Sequence, residues 1–321
     1  MRLREHTLTG LEPDNLLAFL ALLGMLRALS VARPAWCARV HWDTGHPPIR
    51  PVLSLRQPAT TATVAKSAAT GCDVLARAHE FAGWKTPMMP RTDARRLLQS
   101  AVSAGPAGRN RADVLAALFS DIAAKDEVVV PTPFCLLFGQ GHQYFLDRFS
   151  AVAKRASVPR GGDGPQTRPS SPGNTIERAL FRVWERVDPT PGFRWDPAED
   201  RRYALRFSDP SKDAATTVHG ANRLAAIGLP ALATCPATVG SRVRLLTMAV
   251  RQTNGRDTEV TWPIWTRPAS LQGIRALLTH PQLGLDEPDT TRLQALGIHE
   301  VRRAKRVSTG KFLNFTRAVA I

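Results

Sequence analysis

The chain is poor in cysteine, and the four it has, Cys37, Cys72, Cys135 and Cys235, are scattered over 321 residues. None sits in a CxxC pair, which argues against a zinc ribbon or a disulfide framework. Isolated cysteines of this kind serve as small buried apolar residues. Long hydrophobic runs are missing too. The longest, Leu16 to Leu26, is about half of the roughly 20 residues a membrane span needs. The opening Met1-Arg-Leu-Arg-Glu-His carries no apolar signal core. The expectation is a cytoplasmic, reducing location without a membrane partner. There is no Walker loop, no GxGxxG fingerprint and no GxSxG elbow. The glycine-rich Gly161-Gly-Asp-Gly164 falls in a linker, outside any strand-to-helix turn.

Acid is also scarce. Against 43 Lys and Arg there are 27 Asp and Glu, a formal charge of +16, and no acid follows Glu300. The basic excess thickens into a C-terminal tract of Arg302, Arg303, Lys305, Arg306, Lys311 and Arg317. Arginine presents a planar fork of donors that matches phosphate oxygens and sheds water more readily than a lysine ammonium. A net charge this large repels itself within a compact fold unless a polyanion neutralises it, so nucleic acid is the first partner to consider. The apolar share of 43% marks a globular protein and not a disordered basic tail. Twenty-five prolines favour short elements joined by rigid turns over a helical bundle.

The pattern along the chain predicts an α+β fold in two mixed halves, with short strands and several buried Ala/Leu-rich helices. An N-terminal domain spans 1–156, a linker or loop 157–175, and a C-terminal domain with the basic tract 176–321. Residues 14–29 form the clearest helix, capped by Asp14 or Asn15 and apolar nearly all round, which means burial. Within it, Gly24 admits another backbone. Trp36 to Trp42 reads as a strand, ended by Pro47, Pro48 and Pro51. Helical patterns follow at 60–82 and 92–103, then strand-like runs at Val128–Val130 and Phe134–Phe138, then a helix from Tyr144 to Ala156. The second half offers helices near 175–187 and 222–229, and a strand at Tyr203–Phe207. Strands at 242–250 and 258–265 flank the turn signal Asn254-Gly255. Helices at 268–279 and 289–296 precede a basic strand or helix at 298–307. Asn15…Gly24 and Asn222…Gly228 echo one another as capped alanine-rich helices ending near glycine, which raises a weak internal duplication.

Several groups are chemical candidates. Cys37, His41, Asp43 and His46 hold metal-ligand atom types, but their spacing, with His46 past a turn, suits a structural strand end. Asp196, Glu199 and Asp200 are the densest acids and would suit Mg²⁺ in a nuclease, although Arg201 and Arg202 point to ion pairs instead. Glu300 with Lys305 lacks the acidic partner of a restriction-type core. The turn Gly139-Gln-Gly-His-Gln143 permits close backbone approach, and Gln140, His142 and Gln143 suit base edges or a groove. Trp262 and Trp265 read as core or as base-stacking platforms. In the basic tract, Val301, Ala304 and Val307 suggest an ordered element with one apolar face.

Four stretches together resemble a known family. They are Gly10-Leu-Glu-Pro-Asp-Asn-Leu-Leu-Ala-Phe-Leu-Ala-Leu-Leu-Gly-Met-Leu-Arg27, Leu224-Ala-Ala-Ile-Gly-Leu-Pro230, Trp262-Pro-Ile-Trp265 and Gly273-Ile-Arg-Ala-Leu-Leu278. They are similar to segments of subunits from type I-G (formerly I-U) CRISPR–Cas systems. The resemblance implies a non-catalytic subunit, of large-subunit or Csb type, in a Cascade surveillance complex of antiviral defence. It implies crRNA and target double-stranded DNA as partners, with backbone and crRNA-end-binding subunits and a recruited helicase-nuclease. Target binding, PAM recognition or complex assembly would be its role, and no cofactor is expected. The alternative from the residues alone is a metal-dependent nuclease of a defence system.

Overall fold

The computed structural model describes residues 3–139, 142–158, 171–199, 216–253, 257–309 and 312–321. The fold is α+β, as the pattern predicts. Its first half runs β1 (Leu3–Thr7), α1 (Leu16–Ala32), β2 (Arg39–Asp43), β3 (Arg50–Ala59), α2 (Thr61–Ala76), α3 (Arg91–Ser103), α4 (Arg109–Leu118), β4 (Ala124–Lys125), β5 (Val128–Val129) and α5 (Phe145–Lys154). Then come α6 (Pro172–Phe181), α7 (His219–Gly228), β6 (Thr234–Val239), β7 (Arg242–Thr247), β8 (Val250–Thr253) and β9 (Asp257–Trp265). The chain closes with α8 (Leu271–Leu278), α9 (Thr290–Ala295), β10 (Ile298–Thr309), β11 (Phe312–Phe315) and β12 (Val319–Ala320). The sheets are antiparallel: β1-β3-β2, the hairpins β4-β5 and β6-β7, and β11-β10-β9-β8 with β12 on β10.

Helix α1 is the axis of the molecule. Every residue from Leu16 to Leu29 is buried, so the helix has no polar face to give it a direction. Its N-terminus is set by Asn15, whose Oδ1 accepts from the Leu17 N–H at 2.9 Å and the Ala18 N–H at 3.4 Å. The Asn15 amide also donates to Asp196 Oδ1 at 3.1 Å, joining the first half to the second. Helices α1 and α7, the two echoing segments, pack directly on each other. A Cβ on Gly24 would overlap the Leu224 carbonyl, and one on Gly228 would overlap that of Leu20. The backbones therefore touch where both side chains are absent. Asn222 differs from the expectation. It lies inside α7 and does not cap it, its amide donating back to Val218 O at 3.2 Å. One apolar cluster takes in residues from Leu8 to Ala318 and draws on both halves.

Trp262 and Trp265 are buried in this cluster. Trp262 stacks on Phe19 at 5.3 Å and donates to Pro13 O at 3.0 Å. Trp265 meets Trp42 edge-on at 6.2 Å and donates to Val40 O at 2.6 Å. Neither indole is open to a base. Two strands depart from the sequence pattern. The chain does not stop at Pro51: β3 runs through it and is the central strand of its sheet. Residues 134–138 form no strand, and Val128–Val129 pairs with Ala124–Lys125 and, through a single bridge, with Pro90. The strand predicted from Trp36 to Trp42 is shorter, since Pro34–Trp36 is a 3₁₀ turn and β2 starts at Arg39. The expected strand at 203–207 and the Asn254-Gly255 turn lie outside the described residues.

His79, just past α2, is wholly buried against Phe149 at 4.8 Å, with Nε2 donating to Ala226 O at 3.3 Å. Burial pushes its imidazole down to about 4 from 6.5. Between those values the unfolded chain takes up a proton that the folded chain refuses, so stability falls as pH drops through that window. The full loss amounts to roughly 3 kcal/mol. In His79→Gln, which keeps a donor, denaturant titrations at pH 6.5 and pH 4 are expected to differ by about that much less than in wild type.

Candidate nucleic-acid interface

Arg302, Arg303, Lys305 and Arg306 of the basic tract lie on strand β10, whose two faces meet different surroundings. Pairing with β9 sets Arg302 opposite Trp262, Arg303 opposite Thr261, Ala304 opposite Val260 and Lys305 opposite Glu259. Successive side chains of a strand point to opposite faces. Val301 and Ala304 are accordingly buried on different sides, one against Leu283 and Leu293, the other in the main core. The single apolar face expected from their spacing is therefore two covered faces.

This placement spends much of the tract's charge inside the protein. Arg302 closes on Glu300 Oε1 at 2.6 Å through Nη2. Arg303, 6% exposed, reaches Glu259 Oε2 at 3.6 Å and Thr261 Oγ1 at 3.3 Å and donates to the Leu285 carbonyl. Burial lowers its guanidinium from the ordinary value. Its phosphate role gives way to that of a sheet-face ion pair. Arg317 joins Glu12 and Asp14 at 2.9 Å each, and the hydrogen bond to Asp14 raises it. Lys305 is open, its side chain 64% exposed, with one contact to Glu259 at 3.5 Å. Arg306 is half-buried, burial lowers it, and among the described residues it makes no ion pair. Lys311 and Gln140 lie outside the described residues.

The polar turn and the end of this strand pair come together. Gly139, at φ +96°, donates to Gln143 O at 2.9 Å, and the His142 N–H donates to Gly139 O at 3.1 Å. His142, at φ +59°, is exposed. Gln143 Oε1 accepts from Arg194 Nη2 at 2.8 Å. The same guanidinium lies 4.6 Å above the ring of Phe312, the first residue of β11, which is 37% exposed. Arg194 thus links the turn to the hairpin next to the basic strand. Sequence reading passed over it, because its role depends on two segments more than 50 and more than 110 residues away.

Local packing explains why Arg194 faces this way. It occupies the left-handed region at φ +64°, and the kink lets its neighbours Phe193 and Trp195 stack at 4.3 Å. Both rings are buried, Trp195 donating to Phe134 O at 3.0 Å. The intervening Arg194 is half-buried, and its guanidinium turns toward Gln143 and Phe312. The Arg194 backbone N–H donates to Glu199 Oε2 at 2.9 Å. Burial, and the charge of Asp196, push the Glu199 carboxyl up to about 7.

The acidic cluster has a structural use. Asp196, 2% exposed, takes Arg186 Nε at 2.7 Å and Nη2 at 3.2 Å, the Asn15 amide at 3.1 Å and the Ala198 N–H at 3.1 Å. Its oxygens are occupied by donors, and Asp200 lies outside the described residues. Cys37 is exposed in a left-handed turn, while His46 pairs with Asp43 at 3.1 Å. Among the described residues no three His, Cys, Asp or Glu side chains group to hold a metal ion. None of their helices is long and apolar enough to cross a membrane. No protein-family model matches the chain, and no curated protein matches it.

Proposed function

We infer that the chain binds nucleic acid non-catalytically. The contact surface is formed by the 139–143 turn, Arg194, Phe312 and the open end of β10. The observation that carries this reading is Arg194. It is a cation held over a half-exposed aromatic ring beside an exposed histidine and a glutamine, on a chain of charge +16. Rings of this kind stack bases without regard to sequence, and the cation adds phosphate attraction. Lys305 extends the positive surface along the strand and Arg306 carries charge on its other face, with Lys311 and Gln140 as further contacts. His142 and Gln143 supply neutral donors and acceptors for base edges.

The resemblance of the α1, α7, Trp262–Trp265 and α8 segments to type I-G CRISPR–Cas subunits supplies the setting. That setting is a Cascade-type surveillance complex in which this subunit touches crRNA or target DNA. The backbone and crRNA-end-binding subunits would be its neighbours, and cleavage would belong to a recruited helicase-nuclease. Tagged protein co-expressed with its neighbouring genes is expected to bring down partner subunits and a discrete RNA of repeat and spacer sequence. Protein recovered alone, with heterogeneous salt-labile nucleic acid, would reduce the reading to a general basic binder. Arg194→Gly relieves the left-handed backbone and deletes the cation. Its thermal midpoint is expected to hold or rise while affinity for single-stranded RNA or DNA falls about tenfold and the salt slope drops by about 1.

A further inference from the structure

Hairpin β6–β7, the start of β8 and the segment from Leu278 to Gly284 border an open cleft of about 530 Å³. Small-molecule sites have volumes of this order. Leu246, Met248, Val250, Leu278, Pro281 and Leu283 make its apolar walls. Thr247 lies among them, 6% exposed, and its hydroxyl has no hydrogen-bond partner among the described residues. A buried hydroxyl in that state is costly unless something arrives to pair with it.

Arg251 lies at the border of the cleft, its side chain 18% exposed. It shares a charge cluster with Arg303 and Lys305. Arg251 Nε is 3.4 Å and Arg303 Nε 3.6 Å from Glu259 Oε2, with Lys305 Nζ 3.5 Å from Oε1. Asp286, whose side chain is 84% exposed, pairs with Arg251 from the solvent side. Three cations meet two carboxylates, which leaves one positive charge uncompensated among the described residues.

We propose that this cleft binds one nucleotide, its base between the apolar walls, its polar edge on the Thr247 hydroxyl and its phosphate toward Arg251. An acyl chain would fill the walls and leave Thr247 Oγ1 unpaired. Inorganic phosphate would answer the charge and leave the apolar walls wet. A heterocycle bearing a phosphate satisfies all three features, because a hydroxyl both donates and accepts against a base edge. The nucleotide is either a free molecule or a residue turned out of a bound strand, and the chemistry is the same. The proposal does not depend on the Arg194 surface.

The test is calorimetric titration of the purified full chain with the four ribonucleoside monophosphates, with the matching nucleosides, inorganic phosphate and decanoate as comparisons. At least one monophosphate is expected to bind saturably at one site, its nucleoside at least tenfold more weakly, with neither phosphate nor decanoate competing. Gly284→Trp fills the cleft from a position where an added Cβ meets open space, and it is expected to cost at least tenfold in affinity. Thr247→Val keeps the shape and is expected to cost about fivefold at an unchanged thermal midpoint. No saturable binding to wild type, competition by phosphate or decanoate, or undiminished affinity in Gly284→Trp would overturn the proposal. A single-stranded oligonucleotide separates the two sources. Affinity lost in Gly284→Trp identifies a strand residue, and affinity retained while the mononucleotide is lost identifies a free ligand.

Discussion

Gly24→Ala is expected to lower the thermal midpoint by roughly 5–10 °C and to cut the soluble yield. In an exposed helix the same change would stabilise by about 1 kcal/mol, because alanine is the better helix former. Here the new methyl would occupy the space of the Leu224 carbonyl, and the neighbouring contact is the Gly228 backbone. Backbone cannot turn aside as a side chain does, so α1 and α7 must separate. Separation opens the packing of two helices whose facing residues are wholly buried. Overpacking of this kind costs about 3 kcal/mol or more, a large share of the 5–15 kcal/mol that holds a domain together. Gly228→Ala strikes the same crossing from the other side and is expected to do the same. Thermal melts and soluble yield measure both. A wild-type midpoint in Gly24→Ala would mean that the two helices do not cross where the structure puts them.

The next largest effect is expected from Asp196→Ala. It removes the acceptor of Arg186, of the Asn15 amide and of the Ala198 N–H. Deleting one partner of a buried pair leaves the others desolvated, at a cost of about 3 kcal/mol. The Asn15 cap loses its support as well, so the start of α1 loosens with it. This result bears on function. If Asp196 held Mg²⁺ in a nuclease, its alanine variant would fold normally and lose cleavage. The pairing found here calls for lower stability, read by denaturant unfolding, with nucleic-acid binding restored when the protein is held folded at low temperature.

Helix α1 was readable from sequence because its determinants are local: Asn15 caps it, and an unbroken run of leucine and alanine follows. Burial all round could be foreseen from the same run, and so could a close backbone partner at Gly24. That the partner would be the echoing helix was a matter of tertiary packing. Strand β3 was obscured by Pro51, whose missing N–H falls near the strand's start, beyond the last β1 residue in register, where Leu8 donates to the proline carbonyl. The basic tract was visible as charge but not as ion pairs. The acids that neutralise Arg303 and Arg317 are 44 residues before one and about 300 before the other. Arg194 was invisible for a related reason. Nothing in Phe193-Arg-Trp-Asp marks which residue turns outward until the left-handed kink stacks the rings on either side.

Photo-crosslinking tests the central claim most directly. Single-stranded RNA carrying 4-thiouridine at every uridine, irradiated with the full chain and mapped by mass spectrometry, reports which side chains lie against bases. The account predicts adducts at Phe312 and within residues 139–143, and their loss in Phe312→Ala. Adducts confined to surfaces away from Arg194 and Phe312, unchanged in that variant, would contradict it.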